Sequence, residues 1–160
     1  PATVCGYSPR LRLDLTVNIL TNHAVSNGAI KVFGGEQTRP NIHIDDMTDL
    51  YVKCLTWPRA IFNAQIYNVG YENYSVMTIA KKVRTIVGDS VSVNVLPTDD
   101  LRSYHISSEK VFKKAGFRPG NSIDNAVRTL LDAFQNGRIP DSMKAPKYFN
   151  IKLLQSINFN

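Results

Sequence analysis

Apolar positions recur at helical spacing in several stretches of the chain, with short alternating or β-branched runs between them. Leu15, Ile19, Leu20 and Ala24 share one face of a helix predicted over 14–27, with Asp14 as its N-cap and Gly28 as the residue that stops it. Ahead of it, "TVC" reads as the end of a buried strand and "GYSPR" as the turn away from it. "AIKVF" predicts a strand, "GGEQTRP" a loop, and the alternation in "NIHI" a second strand. Asp45 or Asp46 then caps a helix running to Trp57, where Pro58 stops it. "IYNVG" reads as a further strand closed by Gly70. Ser75 caps a helix over 76–87 that Gly88 ends, and "SVNVL" is a strand closed by Pro97. "SYHIS" again alternates. Ser107 or Ser108 opens a helix that stops at Gly116. The clearest helix lies in "NSIDNAVRTLLDAFQNG", where Ile123, Val127, Leu130, Leu131 and Phe134 form one apolar face. Beyond Arg138 the chain is basic and punctuated by proline, with a last helix expected near 148–157. Helices alternating with short strands define a mixed α/β domain, or part of one.

The chain has 160 residues, 43% hydrophobic and 20% charged, which suits one soluble unit with a sizeable core. No apolar run is long enough to span a membrane. The first residues lack the charged segment and apolar run of a signal peptide, and "ATVC" is strand-like at once, as though the chain begins in mid-fold. Cys5 and Cys54 fit no zinc or redox spacing and read as reduced thiols of a cytoplasmic protein.

A net charge of +6 and a pI of about 9.4 favour anionic partners, either nucleic acid or phosphate-bearing small molecules. The basic residues are scattered. Those in "AKKVR" and "VFKKAGFR" alternate with apolar residues as on solvated helix faces, and neither zinc-finger spacing nor an aromatic RNA-binding motif is present. No nucleic-acid partner and no membrane partner is therefore expected.

One stretch concentrates candidate chemistry: "FGGEQTRPNIHIDDMTDLY", with Arg39, His43, Asp45, Asp46 and Asp49. His43 alternates with Ile42 and Ile44 and reads as a structural histidine. Asp45 and Asp46 stand at a predicted helix start, where carboxylates satisfy free N–H groups, and do not form a metal cluster.

The blocks "ATVCGYSPRLR", "IKVFGG", "TRPNIHIDDMTDLYVKCL", "IYNVGYENYSVMTIAKKV" and "DDLRSYHISSEKVFKKAGFRP", in this order and spacing, resemble the C-terminal half of extended short-chain dehydrogenase/reductases, the NAD-dependent nucleotide-sugar epimerases and dehydratases. The resemblance runs from Pro1 to about Phe134. It implies the last strands of a Rossmann-type sheet plus a small mixed α/β substrate-binding domain over 1–137, followed by a basic tail over 138–160. It also implies NAD or NADP as cofactor, a nucleotide-diphosphate sugar as partner, and a homodimeric parent enzyme. The family's glycine-rich cofactor turn has no match here. Nor does its Tyr–Lys pair four residues apart: Tyr104 and Lys110 are too far apart, and Tyr51 and Lys53 too close. No catalytic residue is therefore expected within these residues.

The resemblance places Arg39 and Arg102 on the diphosphate, where a planar guanidinium offers paired hydrogen bonds and a permanent charge. For Arg102 a plain surface salt bridge is an equal alternative. Lys31 and Phe33 would border the base, Asn73 the sugar diphosphate, and Ala2 and Thr3 the cofactor. Ser75 is read as a helix cap, and Arg10 and Arg12 as facing solvent more than phosphate. A non-catalytic binding module that keeps the fold is the alternative to an enzyme's substrate-binding portion.

Overall fold

The computed structural model describes residues 1–100 and 102–157. Among them the order is β1 (Thr3–Cys5), α1 (Thr16–Asn27), β2 (Ala29–Phe33), β3 (Thr38–His43), α2 (Ile44–Cys54), α3 (Arg59–Phe62), β4 (Glu72–Ser75), α4 (Val76–Val87), β5 (Ser92–Leu96), α5 (Glu109–Ala115), α6 (Ile123–Gln135), a 3-10 turn at Pro146–Tyr148, and α7 (Asn150–Ser156). None of these helices is long and apolar enough to cross a membrane.

Two small sheets interleave along the chain. In the first, β1 lies parallel to β3, with Thr3 opposite Asn41 and Cys5 opposite His43, and β4 lies antiparallel on the other side, with Arg39 opposite Tyr74. In the second, β2 and β5 are parallel, with Lys31 opposite Asn94 and Phe33 opposite Leu96. Parallel neighbours need long crossovers, and here each sheet's connection contains a strand of the other.

The helices are laid down by their apolar faces. Val17 and Leu20 of α1, Ile79 and Val83 of α4, and Ile123 and Val127 of α6 bury against Ile30 and Val32 of β2. Ile42 packs separately with Met47, Leu50 and Val69. The segment after Gly137, read from sequence as a basic tail, brings Ile139 and Tyr148 into a third cluster with Leu11, Leu13 and Leu130. Leu13 donates its amide to the Tyr148 carbonyl at 2.8 Å, and Asn22 Nδ2 reaches the Ser142 carbonyl at 3.3 Å.

Several local expectations are met. Gly28 stops α1 and Gly116 stops α5 with positive φ of 61° and 67°. Ser75 caps α4 by accepting from the Thr78 amide at 3.1 Å. Others are corrected. Asp14 does not cap α1, because its carboxylate is taken by Arg12 and by the Asn150 amide at 3.1 Å. His43, not Asp45 or Asp46, caps α2, with Nδ1 accepting from the Asp45 amide at 3.1 Å. That helix ends at Cys54 instead of Trp57, and Pro58 leads into α3, since its fixed φ suits a helix entrance.

"IYNVG" is not a strand. Its Val69 carbonyl accepts from the Ala2 amide at 2.6 Å, and ladder pairing begins only at Glu72. "SYHIS" likewise forms no strand, because Asn73 and Ser103 side chains take part in its bonding to β3 and β4. Conversely, β3 extends back through Thr38, Arg39 and Pro40, which had been expected in a loop. Proline is tolerated there because β1 pairs only from Asn41 onward, leaving that end of β3 an edge.

Candidate functional site

On β2, buried Ile30 and Val32 alternate with Lys31 and Phe33, whose side chains leave the core. The backbone follows the same alternation. The Gly28 carbonyl and the Gly34 amide bond to the β5 side, at Ser92 and Leu96, so Lys31 and Phe33 direct their N–H and C=O groups to the opposite edge. There the Phe33 carbonyl accepts from Gln37 Nε2 at 3.1 Å.

Arg39 projects from the edge end of β3. One guanidinium nitrogen donates to the Thr38 carbonyl at 3.1 Å and to the Arg102 carbonyl. Nη2 lies 3.6 Å from the Asp100 carboxylate, and the Tyr104 ring stands 5.7 Å from the guanidinium carbon. The side chain is only 16% exposed. Arg39, Lys31 and Phe33 line one cavity of about 240 Å³, together with His23, Gln37 and Asp100. His23 is held below its ordinary pKa by burial and by the nearby Lys31 charge, so Lys31 and Arg39 supply the cavity's fixed positive charge.

Arg102 does not line this cavity but is tied to it. Its Nε and Nη2 hold the two Asp100 oxygens at 2.7 and 2.8 Å. That hydrogen bonding, reinforced by the charges of Arg102 and Arg39, keeps the Asp100 carboxyl well below the usual carboxylate range. Asn73 lies apart. Its amide side chain bonds both ways to the Ile106 backbone, at 2.9 and 3.2 Å.

Ala2 and Thr3 line a second, larger cavity of about 480 Å³ with Arg10, Arg12 and Tyr104. Both arginines are tethered within the chain: Arg12 grips Asp14 at 2.9 and 3.1 Å, and Arg10 donates to the Lys147 carbonyl and to Asn150 Oδ1, each at 3.2 Å. Tyr104 lines this cavity while its ring faces Arg39 of the other, so that pair stands between the two cavities. The lysines of the mis-spaced Tyr–Lys pairs are engaged elsewhere, Lys110 with the Ile66 carbonyl at 2.8 Å and Lys53 with Asp49 at 2.7 Å.

Sequence reasoning missed Gln37, Asp100 and Tyr104. Gln37 is buried. Its Oε1 accepts from the Gly35 amide at 2.7 Å, and its Nε2 reaches both the Phe33 carbonyl and the Asp100 carbonyl, the latter at 2.8 Å. It thereby fastens the loop after β5 onto the end of β2. Gly34 makes room for this: its φ is +73°, and a Cβ there would stand 2.6 Å from both Gln37 Nε2 and the Thr98 methyl. For Tyr104 a signal existed, since it alternates with His105 beside Ile106. Gln37 and Asp100 carried none.

The model of the NAD dependent epimerase/dehydratase family matches residues 1–70. Among solved structures, the chain is similar to the UDP-glucose 4-epimerase of Thermotoga maritima determined with UDP-glucose, at 21% identity and TM-score 0.71 over 86% of this chain and 45% of that one. It is similar to the UDP-glucuronic acid 4-epimerase of Bacillus cereus, in complex with UDP-glucuronic acid and NAD, at 24% identity and TM-score 0.70 over 84% and 43%. It is also similar to an NAD-dependent NDP-hexosamine 5,6-dehydratase of tunicamycin biosynthesis, at 21% identity and TM-score 0.71 over 84% and 44%. The chain thus has the α/β fold of Rossmann-type epimerases and dehydratases, and spans less than half the length of these structures.

Proposed function

We propose that these residues form the nucleotide-diphosphate-sugar-binding portion, C-terminal in its parent, of an NAD- or NADP-dependent sugar epimerase or dehydratase. The observation that carries this reading is the single cavity into which Lys31, Phe33 and Arg39 converge from two different sheets. An exposed aromatic ring and an outward backbone edge suit a base, while a largely shielded guanidinium suits a diphosphate of about two negative charges. Arg102, outside the cavity lining and bonded to Asp100, would be the second arm of the clamp.

The larger cavity, lined by Ala2 and Thr3, would take the reactive edge of a dinucleotide. Ala2 and Thr3 border that edge, and no glycine-rich phosphate cradle accompanies them in the sequence. NAD or NADP, bordered by Ala2 and Thr3, would supply reversible hydride transfer with the sugar. The part played by these residues is binding, orientation and closure over the substrate, with the Tyr–Lys pair supplied by the N-terminal half of the parent.

Titration calorimetry of the chain with UDP, dTDP and GDP tests the reading. Weak binding of one of them is expected, with loss on Arg39→Ala. Assayed with NAD and UDP-, dTDP- or GDP-sugars, the 160-residue chain is expected to show no turnover. Turnover would overturn the assignment of proton transfer to another part of the parent.

A second reading, a binding module that keeps the fold without the chemistry, draws on the exposure of Leu55 and Ile66, at 85% and 84%. Self-association without nucleotide binding would favour it.

A further inference from the structure

Arg39 and Arg102 are the two guanidinium groups that the proposed function assigns to the diphosphate, and one carboxylate already joins them. Asp100 offers one oxygen to Arg102 Nε at 2.7 Å and the other to Arg102 Nη2 at 2.8 Å. The second oxygen also faces Arg39 Nη2 at 3.6 Å. A phosphate approaching the Nε/Nη2 edge of Arg102 meets donors already bonded to Asp100, and at Arg39 Nη2 it meets the same carboxylate, held there as an ion pair and not as a hydrogen bond. We infer that Asp100 is an intramolecular stand-in for the ligand's anion, which must leave the two arginines before a diphosphate is held by them. The inference rests on the proposed anion site.

Three observations favour exchange over a permanent structural tie. The Asp100 side chain is 40% exposed and that of Arg102 83%, so both rotate into water without breaking the core. The Asp100 backbone is held independently of its carboxylate: Gln37 Nε2 takes its carbonyl at 2.8 Å, and its amide donates to Thr98 Oγ1 at 3.1 Å. The carboxylate also accepts from the Arg102 amide at 3.2 Å, so its departure frees that one backbone bond while the Gln37 and Thr98 bonds keep Asp100 in place. Finally, Asp100 lines the same cavity as Lys31 and Arg39, so the departing carboxylate clears the site itself.

The stand-in gives a physical basis for selectivity. A single carboxylate on the chain competes with every incoming anion at a fixed local concentration. A diphosphate, with more charge and more acceptor oxygens, displaces it, whereas a single weak carboxylate gains nothing by exchange. Removing the competitor should raise affinity for all anions. If Asp100 instead served to aim Arg102 at the ligand, removing it should lower affinity.

The test is calorimetric titration of the full chain at low ionic strength with inorganic pyrophosphate and, separately, with UDP, for wild type, Asp100→Asn and Asp99→Asn. Asp99 is the exposed neighbouring acid and reports the general change of charge. Asp100→Asn is expected to bind both anions roughly two- to fivefold more tightly, the span set by the worth of an exposed ion pair. The gain should shrink in high salt, and Asp99→Asn should show little of it. Equal or weaker binding by Asp100→Asn, or an equal gain in Asp99→Asn, overturns the inference. Pyrophosphate gain without UDP binding by any variant leaves the exchange standing and overturns the nucleotide reading. UDP bound equally by wild type and Asp100→Asn does the reverse, and binding of neither anion overturns both.

Discussion

The carboxylate of Asp46, at the start of α2, is bonded to Asn121, just ahead of α6. Asp46 Oδ2 accepts from the Asn121 amide and Oδ1 from its side-chain Nδ2, each at 2.9 Å, while the Gly120 amide adds a third bond at 3.0 Å. Asp46 is buried and Asp45 beside it is not. Removing a buried acceptor leaves its donors without partners, at about 1–3 kcal/mol for each group stranded away from water. Asp46→Ala should therefore cost about 3 kcal/mol in urea unfolding, and Asp45→Ala, whose exposed carboxylate loses a 3.6 Å contact with His43 and its place in the first helical turn, under about 1 kcal/mol. Similar losses for the two variants would contradict this division of labour.

Gln37 should behave as a positioning residue. Gln37→Ala strands the Gly35 amide and frees the Asp100 carbonyl, so the loop after β5 loses its attachment to β2. Faster hydrogen exchange at Gly35 and weaker nucleotide binding are expected together. The loss of stability should be on the order of 1–3 kcal/mol. Unchanged exchange at Gly35 would show that the loop is held by other contacts.

Acid should reveal Asp14. Burial raises its pKa, but the Arg12 side chain and the Asn150 amide outweigh this and hold it below the ordinary carboxylate value. A carboxylate depressed on folding contributes its full stability above the unfolded pKa of about 3.9 and loses it as pH falls through the folded value. The gap in urea midpoint between wild type and Asp14→Asn should stay constant from neutral pH down to about 5 and close below about 4. A gap independent of pH would mean that shape, not charge, sets the contribution of Asp14.

The two thiols should differ in reactivity. Burial, with Glu72 and Asp46 nearby, pushes Cys5 up to about 12, and its residue is 1% exposed. At pH 8 the Cys5 thiol is then almost wholly protonated. Native protein treated with iodoacetamide should be labelled at Cys54, which is partly exposed, and at Cys5 only after unfolding. Peptide mass mapping decides this, and rapid native labelling of Cys5 would show that the β1–β3 region opens readily.

Local signals carried most of the secondary structure. The cap and stop of α4, Ser75 and Gly88, lie beside the helix they bound, and the apolar face of α6 is complete within one segment. The caps of α1 and α2 were misread because Asp14 is gripped by Arg12 and, like Asp46, has partners more than seventy residues away, at Asn150, Gly120 and Asn121. No local pattern weighs such partners against a nearby amide. The candidate site divides likewise. Lys31, Phe33 and Arg39 were reached through the resemblance, and the structure gathers them into one cavity. Asn73 was expected beside them and instead braces Ile106. Asp100 and Gln37 escaped notice because what defines them is their meeting across sixty-three residues of chain.

The parallel pairing of β2 with β5 has a consequence for how small this protein can be made. The cavity wall begins at Asp14 and ends at Asp100, and the loop that closes it is delivered only when β5 lies alongside β2. No peptide cut from the stretch around Arg39, however faithfully it preserved the motif, would carry the site. On the proposed reading, ligand affinity would be a readout of the most distant strand contact, and a bound nucleotide would act as a clasp on the fold, raising its melting temperature with the logarithm of ligand concentration.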